Sequence, residues 1–323
     1  MPRENVHWLV AERAAGLLAS GPFGPALRSC PNGLRFGAVF HDVLYYLRGE
    51  YPESLKFLPQ RLHGAHGEDT FELLRLYAPH MFATRSLALP TAVFVGLVSH
   101  IFADATIHPL VYHFTGNYYD EDPERRTKAV RRHRVLEALL DMAACGGLAA
   151  VQESSLRAVV NGVEGPRSLA CPPELLAAMA GVDAMAAVKG FGDALGDYCT
   201  LQALCRMPTL ASLLREIEGW LPAKGREIAA LFYAPQLWEQ RATVSGPLTF
   251  RNPATGEVFT QTLAGLMDLA ARQTAWFCSV QAPQLINNGA LAETAPGPSL
   301  DMGIPGVATS QARHFAQRIL PPE

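Results

Sequence analysis

Much of what marks the large enzyme and binding classes is missing from this sequence. There is no C-x-x-C pair: the six cysteines, Cys30, Cys145, Cys171, Cys199, Cys205 and Cys278, lie far apart. Neither a thiolate zinc site nor a disulfide framework is therefore expected, and the thiols read as ordinary buried residues of a reducing compartment. No Walker sequence, G-x-S-x-G, glycine-rich dinucleotide fingerprint or internal repeat is present. Charged residues make up only 18% of 323, against 49% hydrophobic, and the net charge is −3. That balance fits a globular protein with a large interior and disfavours a general nucleic-acid binder. Near the amino terminus Glu12 and Arg13 interrupt the apolar residues, so no signal peptide is expected and a cytoplasmic location follows. The longest apolar run, from Ala88, meets Ser99 and His100 well short of the about 20 residues a bilayer span needs, so no transmembrane segment is expected either. Histidine is scarce in the second half, nine of ten falling before residue 134, so any histidine chemistry belongs to the first.

What is present is concentrated in S-H-I-F-A-D-A-T-I-H-P-L-V-Y-H, Ser99 to His113. Each four-residue step along an α-helix turns only about 40°, so His100, Asp104 and His108 share one face. The residues between and before them are almost all apolar, which predicts a helix surrounded by protein. Three ionisable groups there are costly unless something compensates them. Neutral imidazole and carboxylate are a ligand set that zinc takes.

The rest of the chain predicts an all-α protein. Helical spacing runs over Asn5–Ala19, Leu34–Leu47 and Phe71–Tyr77, with Asp69 or Thr70 as cap of the last and Pro79 breaking or kinking it. The central helix is expected to close at Pro109. A long helix, Glu124–Ala144, brings His133 and Glu137 together at i, i+4. Its basic cluster, Arg125, Arg126, Lys128, Arg131, Arg132 and Arg134, reads as a solvated face that can also draw anions. Beyond residue 150 the pattern predicts helices over Val151–Val160, Pro173–Ala180, Ala184–Cys205, Leu210–Leu221, Lys224–Gln240 and Gln261–Val280, with a short hairpin around Asn252–Gly256 and a looped tail. Few polar residues cluster there. The expected organisation is a metal-binding half, residues 1–150, with residues 151–323 as further helices packed on it in one compact unit.

Taken together, His7, His41, Asp42, His63, His66, His100, Asp104, His108, His133 and Glu137 form the pattern H…D…H…H-x-x-x-D-x-x-x-H…H-x-x-x-E. This pattern, with G-A-V-F-H-D-V-L-Y-Y and S-H-I-F-A-D-A-T-I-H-P, resembles the zinc-dependent phospholipase C family, whose fold is shared with fungal zinc-dependent single-strand nucleases. The resemblance covers roughly residues 5–141. It implies two to three zinc ions in a helical core: Asp42, His66, His100 and Asp104 holding one, Asp104 bridging to a second near His7, and His108, His133 and Glu137 holding the remaining one. His63, in the same loop, is the alternative to His66. In secreted members an amino-terminal tryptophan ligates one metal, whereas here His7 lies inside the chain and Trp8 follows it. The early aspartate, usually after proline, here follows His41, and His41 or Glu12 stand as compensating candidates.

The implied chemistry is phosphodiester hydrolysis by metal-activated hydroxide, with Asp42 and Asp104 as the catalytic carboxylates and Asp42 orienting the water. A phospholipid or related head group is the favoured substrate, with peripheral membrane contact as a corollary and nucleic acid less favoured. Phe40, Tyr45, Tyr46, Phe102 and Tyr112 are candidate pocket walls. Two rivals stand beside this. His41-Asp42 with Asp104 downstream also resembles the HD-type phosphohydrolases, a reading that leaves His108, His133 and Glu137 idle. A non-enzymatic scaffold braced by zinc would instead have closed coordination.

Overall fold

The computed structural model describes residues 4–84, 87–316 and 319. The architecture is all-α, with one two-stranded antiparallel hairpin among the described residues. The first half comprises α1 (Glu4–Leu17), α2 (Gly24–Ser29), α3 (Pro31–Gly37), a 3-10 turn (Phe40–Tyr46), α4 (Glu53–Leu62), α5 (Glu72–Ala83), α6 (Ala88–Thr115) and α7 (Pro123–Cys145). The predicted helix over Leu34–Leu47 is thus split, α3 stopping before the 3-10 turn that carries His41 and Asp42. Asp69 does not cap α5 directly; its Oδ1 accepts from the backbone of Phe71 and of Gly297.

Neither Pro79 nor Pro109 ends its helix. Pro79 lies within α5 and Pro109 within α6, which continues to Thr115. Proline removes one hydrogen bond and crowds the preceding turn, but α6 is buried along most of its length and tertiary packing decides the matter. By length and composition α6 is also long and apolar enough to cross a membrane, contrary to the sequence expectation. Its apolar window is 78% buried within this fold, so protein already covers most of that surface.

The second half continues with α8 (Leu148–Glu153), α9 (Leu156–Asn161), α10 (Arg167–Ala170), α11 (Pro173–Ala180), α12 (Ala184–Cys205), α13 (Pro208–Ile217), α14 (Ala223–Ala229) and α15 (Pro235–Trp238). The hairpin β1 (Leu248–Arg251) and β2 (Val258–Gln261) follows, and then α16 (Leu263–Asn288). The expected helices Val151–Val160 and Lys224–Gln240 are each broken in two, whereas α16 runs past its expected end at Val280.

Helix α6 is the spine. Its first part, Leu89 to Ile101, packs into one apolar core with Phe36, Phe40, Leu74, Phe191 and Phe277. Its last part, Ala103 to Val111, packs into a second core with Val6, Leu139, Phe232 and Met267. Both cores draw on residues before and after position 150. His100, Asp104 and His108 lie where the two cores meet.

Candidate metal centre

Three of the histidines are set at this junction by a bond to a backbone carbonyl. Trailing the 3-10 turn, α4 ends at His63, whose Nδ1 donates to the Pro59 carbonyl at 2.7 Å. His100 Nδ1 donates to the Ala38 carbonyl at 2.8 Å, and His108 Nδ1 to the Leu300 carbonyl at 3.0 Å. With the proton fixed on Nδ1, each ring turns an Nε2 lone pair inward, the arrangement in which metal-ligating histidines are found. Helix α1, carrying His7, is held by Asp141 of α7, which accepts from the Val6 amide at 2.8 Å and the Asn5 side chain at 2.7 Å. The Tyr233 hydroxyl donates to the same carboxylate at 2.6 Å.

Two metal-capable groups result among the described residues. In the first, His63 Nε2 lies 3.2 Å from Asp42 Oδ1 and 3.5 Å from Asp104 Oδ2, and His100 Nε2 lies 3.7 Å and 3.2 Å from the same two oxygens. In the second, His108 Nε2 and His133 Nε2 lie 3.5 Å and 3.0 Å from Glu137 Oε1. Four ligands at zinc's ~2.0–2.1 Å bonds stand ~3.3 Å apart at the corners of a tetrahedron, so the donor spacing fits. Asp104 faces both ways: Oδ2 belongs to the first group, while Oδ1 is 3.3 Å from His7 Nε2 and 3.8 Å from His108 Nε2. His63 Nε2, His100 Nε2, His108 Nε2, Asp42 Oδ1 and both Asp104 oxygens are buried without a well-aligned hydrogen bond. Buried polar groups are ordinarily paired, and a divalent cation is the partner this donor set suits.

The electrostatics agree. Burial alone pushes the Asp104 carboxyl up, but His108, His100 and His7 outweigh it and hold it well below the usual carboxylate range. Burial, aided by His100, lowers His7 to about 3, and burial lowers His133 to about 4. Both are therefore neutral imidazoles near pH 7, the form that binds metal. Burial favours neutral His100 as well, yet the Asp104 and Asp42 carboxylates overcome it and shift that ring upward.

Of the residues singled out from sequence, Asp42, His100, Asp104, His108, His133 and Glu137 converge, and His7 reaches Asp104. His66 does not: it is exposed, with its backbone amide bonded to Glu68, and His63 occupies the position instead. Spacing could not choose between them, because the choice is made by the end of α4, which stops at His63 and leaves His66 in the turn beyond. His41 is fully buried and stacked on His100 at 4.4 Å, whereas Glu12 pairs with Arg35 away from the centre. A cavity of about 210 Å³ opens onto both groups, lined by Asp42, His63, His133 and Glu137 together with Tyr45, Tyr46, Tyr112, Tyr118, Tyr119, Tyr198 and Tyr233. Phe40 and Phe102, expected as walls, pack in the core instead. Tyr198, Tyr233 and Asp301 come from the second half, and only a long-range fold prediction could have found them.

The family model described as zinc dependent phospholipase C matches residues 6–160. Searches among the curated proteins and among the solved structures returned no match.

Proposed function

With residues 6–160 matched to the zinc-dependent phospholipase C family, we propose that this chain is a zinc-dependent phosphodiester hydrolase acting on a phospholipid-type substrate. The observation that carries the reading is the pair of buried ligand groups joined by the two oxygens of Asp104 and opening onto one cavity. When bound, zinc supplies Lewis-acid charge to the phosphoryl group and lowers the pKa of water. Asp42 lines the cavity with its Oδ1 buried beside His63, and its role is to orient the attacking water and take its proton. Asp104 offsets positive charge on both sides at once. His63, His100 and His108 keep their outer protons on backbone carbonyls, which fixes the inward nitrogens as neutral donors. The tyrosines enclose the head group and limit access of bulk water.

Two features weigh between substrates and mechanisms. In the basic cluster of α7, Arg131 pairs with Glu218 at 2.7 Å and Arg134 donates to the Glu227 carbonyl at 2.7 Å, so these guanidinium groups are engaged within the fold rather than arrayed along a nucleic-acid backbone. The HD-type reading leaves the His108, His133 and Glu137 group without a purpose. Elemental analysis of protein purified without added metal, followed by assay on bis-p-nitrophenyl phosphate, phospholipid vesicles and single-stranded DNA, tests the proposal. Two to three zinc ions per chain with hydrolysis of the diester and the lipid are expected. A single manganese or magnesium ion, or an iron pair, would favour the HD-type reading, and full zinc without hydrolysis would favour a braced scaffold.

A further inference from the structure

The segment from Pro298 to Ala312 lies outside the matched residues, yet it runs directly over the metal centre. Leu300 ties the two ligand groups together: its amide donates to the His63 carbonyl at 2.9 Å, and its carbonyl accepts from His108 Nδ1 at 3.0 Å. The neighbouring Asp301 is buried, with Oδ1 3.5 Å from His108 Nδ1 and Oδ2 accepting from the Thr309 hydroxyl at 2.5 Å. The Thr309 amide in turn donates to the Ala65 carbonyl at 2.9 Å, closing the strap onto the loop after His63. The far side is seated on α6. Pro109 has no N–H for the Ala105 carbonyl, and Gly303, at φ +73°, packs against that carbonyl so closely that a Cβ there would stand 2.5 Å from the oxygen. Strap, loop and central helix are thus joined at the point where His108 is aimed.

We infer that this carboxy-terminal strap is a built part of the metal centre, and that Asp301 is a positioning residue for His108. The Leu300 carbonyl takes the Nδ1 proton, and the adjoining Asp301, tied to Thr309, steadies that carbonyl and places negative charge 3.5 Å from the same nitrogen. Partners at the outer nitrogen of a ligating imidazole hold its orientation and raise its basicity, and losing one typically costs about 10- to 100-fold in metal affinity. The inference rests on the proposed zinc reading and adds a selective dependence: the His108, His133 and Glu137 group needs the strap, whereas the Asp42, His63, His100 and Asp104 group has its own anchors at Pro59 and Ala38.

The test is competition of stripped protein with a chromophoric zinc chelator, which reads the affinity of each bound zinc, on chains checked for folding by helical circular dichroism. Asp301→Asn should weaken one zinc by about 10- to 100-fold and leave another unchanged. In a His108→Ala chain the same substitution should change nothing further, because the ring it positions is gone. Gly303→Ala, which pushes the strap off α6 and so moves the Leu300 carbonyl away from His108, should weaken the same zinc, and because Leu300 also holds the His63 carbonyl the selectivity is read from Asp301→Asn. Unchanged affinities in folded Asp301→Asn, or equal weakening of every zinc, would overturn the positioning role while leaving the zinc reading intact. A wild-type chain that takes up no zinc would overturn both.

Discussion

Asp104 carries more of this account than any other residue, because it alone offers one oxygen to each side of the centre. Histidine at positions 100 and 108 can serve only one side each. Asp104→Asn keeps the volume but removes the charge that would offset a cation on either side. It is expected to lose metal from at least one group and to lower phosphodiesterase activity on the order of 100-fold or more, beyond the ~10- to 100-fold of residues that only support ligands. His314→Ala, outside the centre, should do neither, with zinc content and initial rates of both variants as the comparison. Wild-type metal and rates in Asp104→Asn would remove the bridging role. The α6 triplet was legible in the sequence because ionisable residues recurring every fourth position on an otherwise apolar helix need a shared partner. The choice of His63 over His66 was not, since it depends on where α4 stops.

The same residues give the metal-free protein a pH dependence with a definite sign. His7, held near 3, and His133, held near 4, stay neutral in the fold, while the unfolded chain protonates them near 6.5. The unfolded state therefore binds more protons between about pH 4 and 6.5, and stability falls as pH drops through that window. The depressed Asp104 acts in the same direction at lower pH, and His100, shifted upward, opposes it. Zinc-stripped protein should unfold at lower temperature at pH 4.5 than at pH 7; an equal or higher midpoint at pH 4.5 would mean that these histidines are not buried as neutral rings.

At the scale of elements, the centre depends on how closely α3 and α6 approach. A Cβ on Gly96 would stand 2.3 Å from the Leu34 carbonyl oxygen, and one on Gly37 2.3 Å from that of Val93. This contact brings the Ala38 carbonyl to His100 Nδ1. Gly96→Ala should cost about 1–3 kcal/mol through overpacking and, by moving the anchor of His100, weaken zinc at the first group. Chemical denaturation and chelator competition check the two effects; full stability with native zinc affinity would show that the close approach is dispensable. Long elements such as α1, α6, α7, α12 and α16 were readable from their periodicity, as was the hairpin. The prolines misled at α5 and α6, because packing holds a helix that local chemistry would break, along one face in α5 and nearly all round in α6. The splits after Gly37 and after Glu153 arise where the chain turns onto a neighbour, which no window of sequence records.

On the scale of the whole molecule, the second half of the chain looked like generic helix, yet it completes the site. Tyr198 and Tyr233 wall the cavity, Tyr233 braces Asp141 beneath α1, and Asp301 stands beside His108. None of these carries a local signal, because each acquires its role from a partner more than 90 positions away. The central claim is that two zinc-binding groups, joined through Asp104, hydrolyse a phosphodiester in this shared cavity. Its most direct test is the initial rate of bis-p-nitrophenyl phosphate hydrolysis by chelator-stripped protein as zinc is returned in known amounts. The account predicts no rate at zero zinc and a rise that saturates at two to three zinc ions per chain. A rate that persists without metal, saturates at one zinc, or never appears although two zinc ions bind would contradict it.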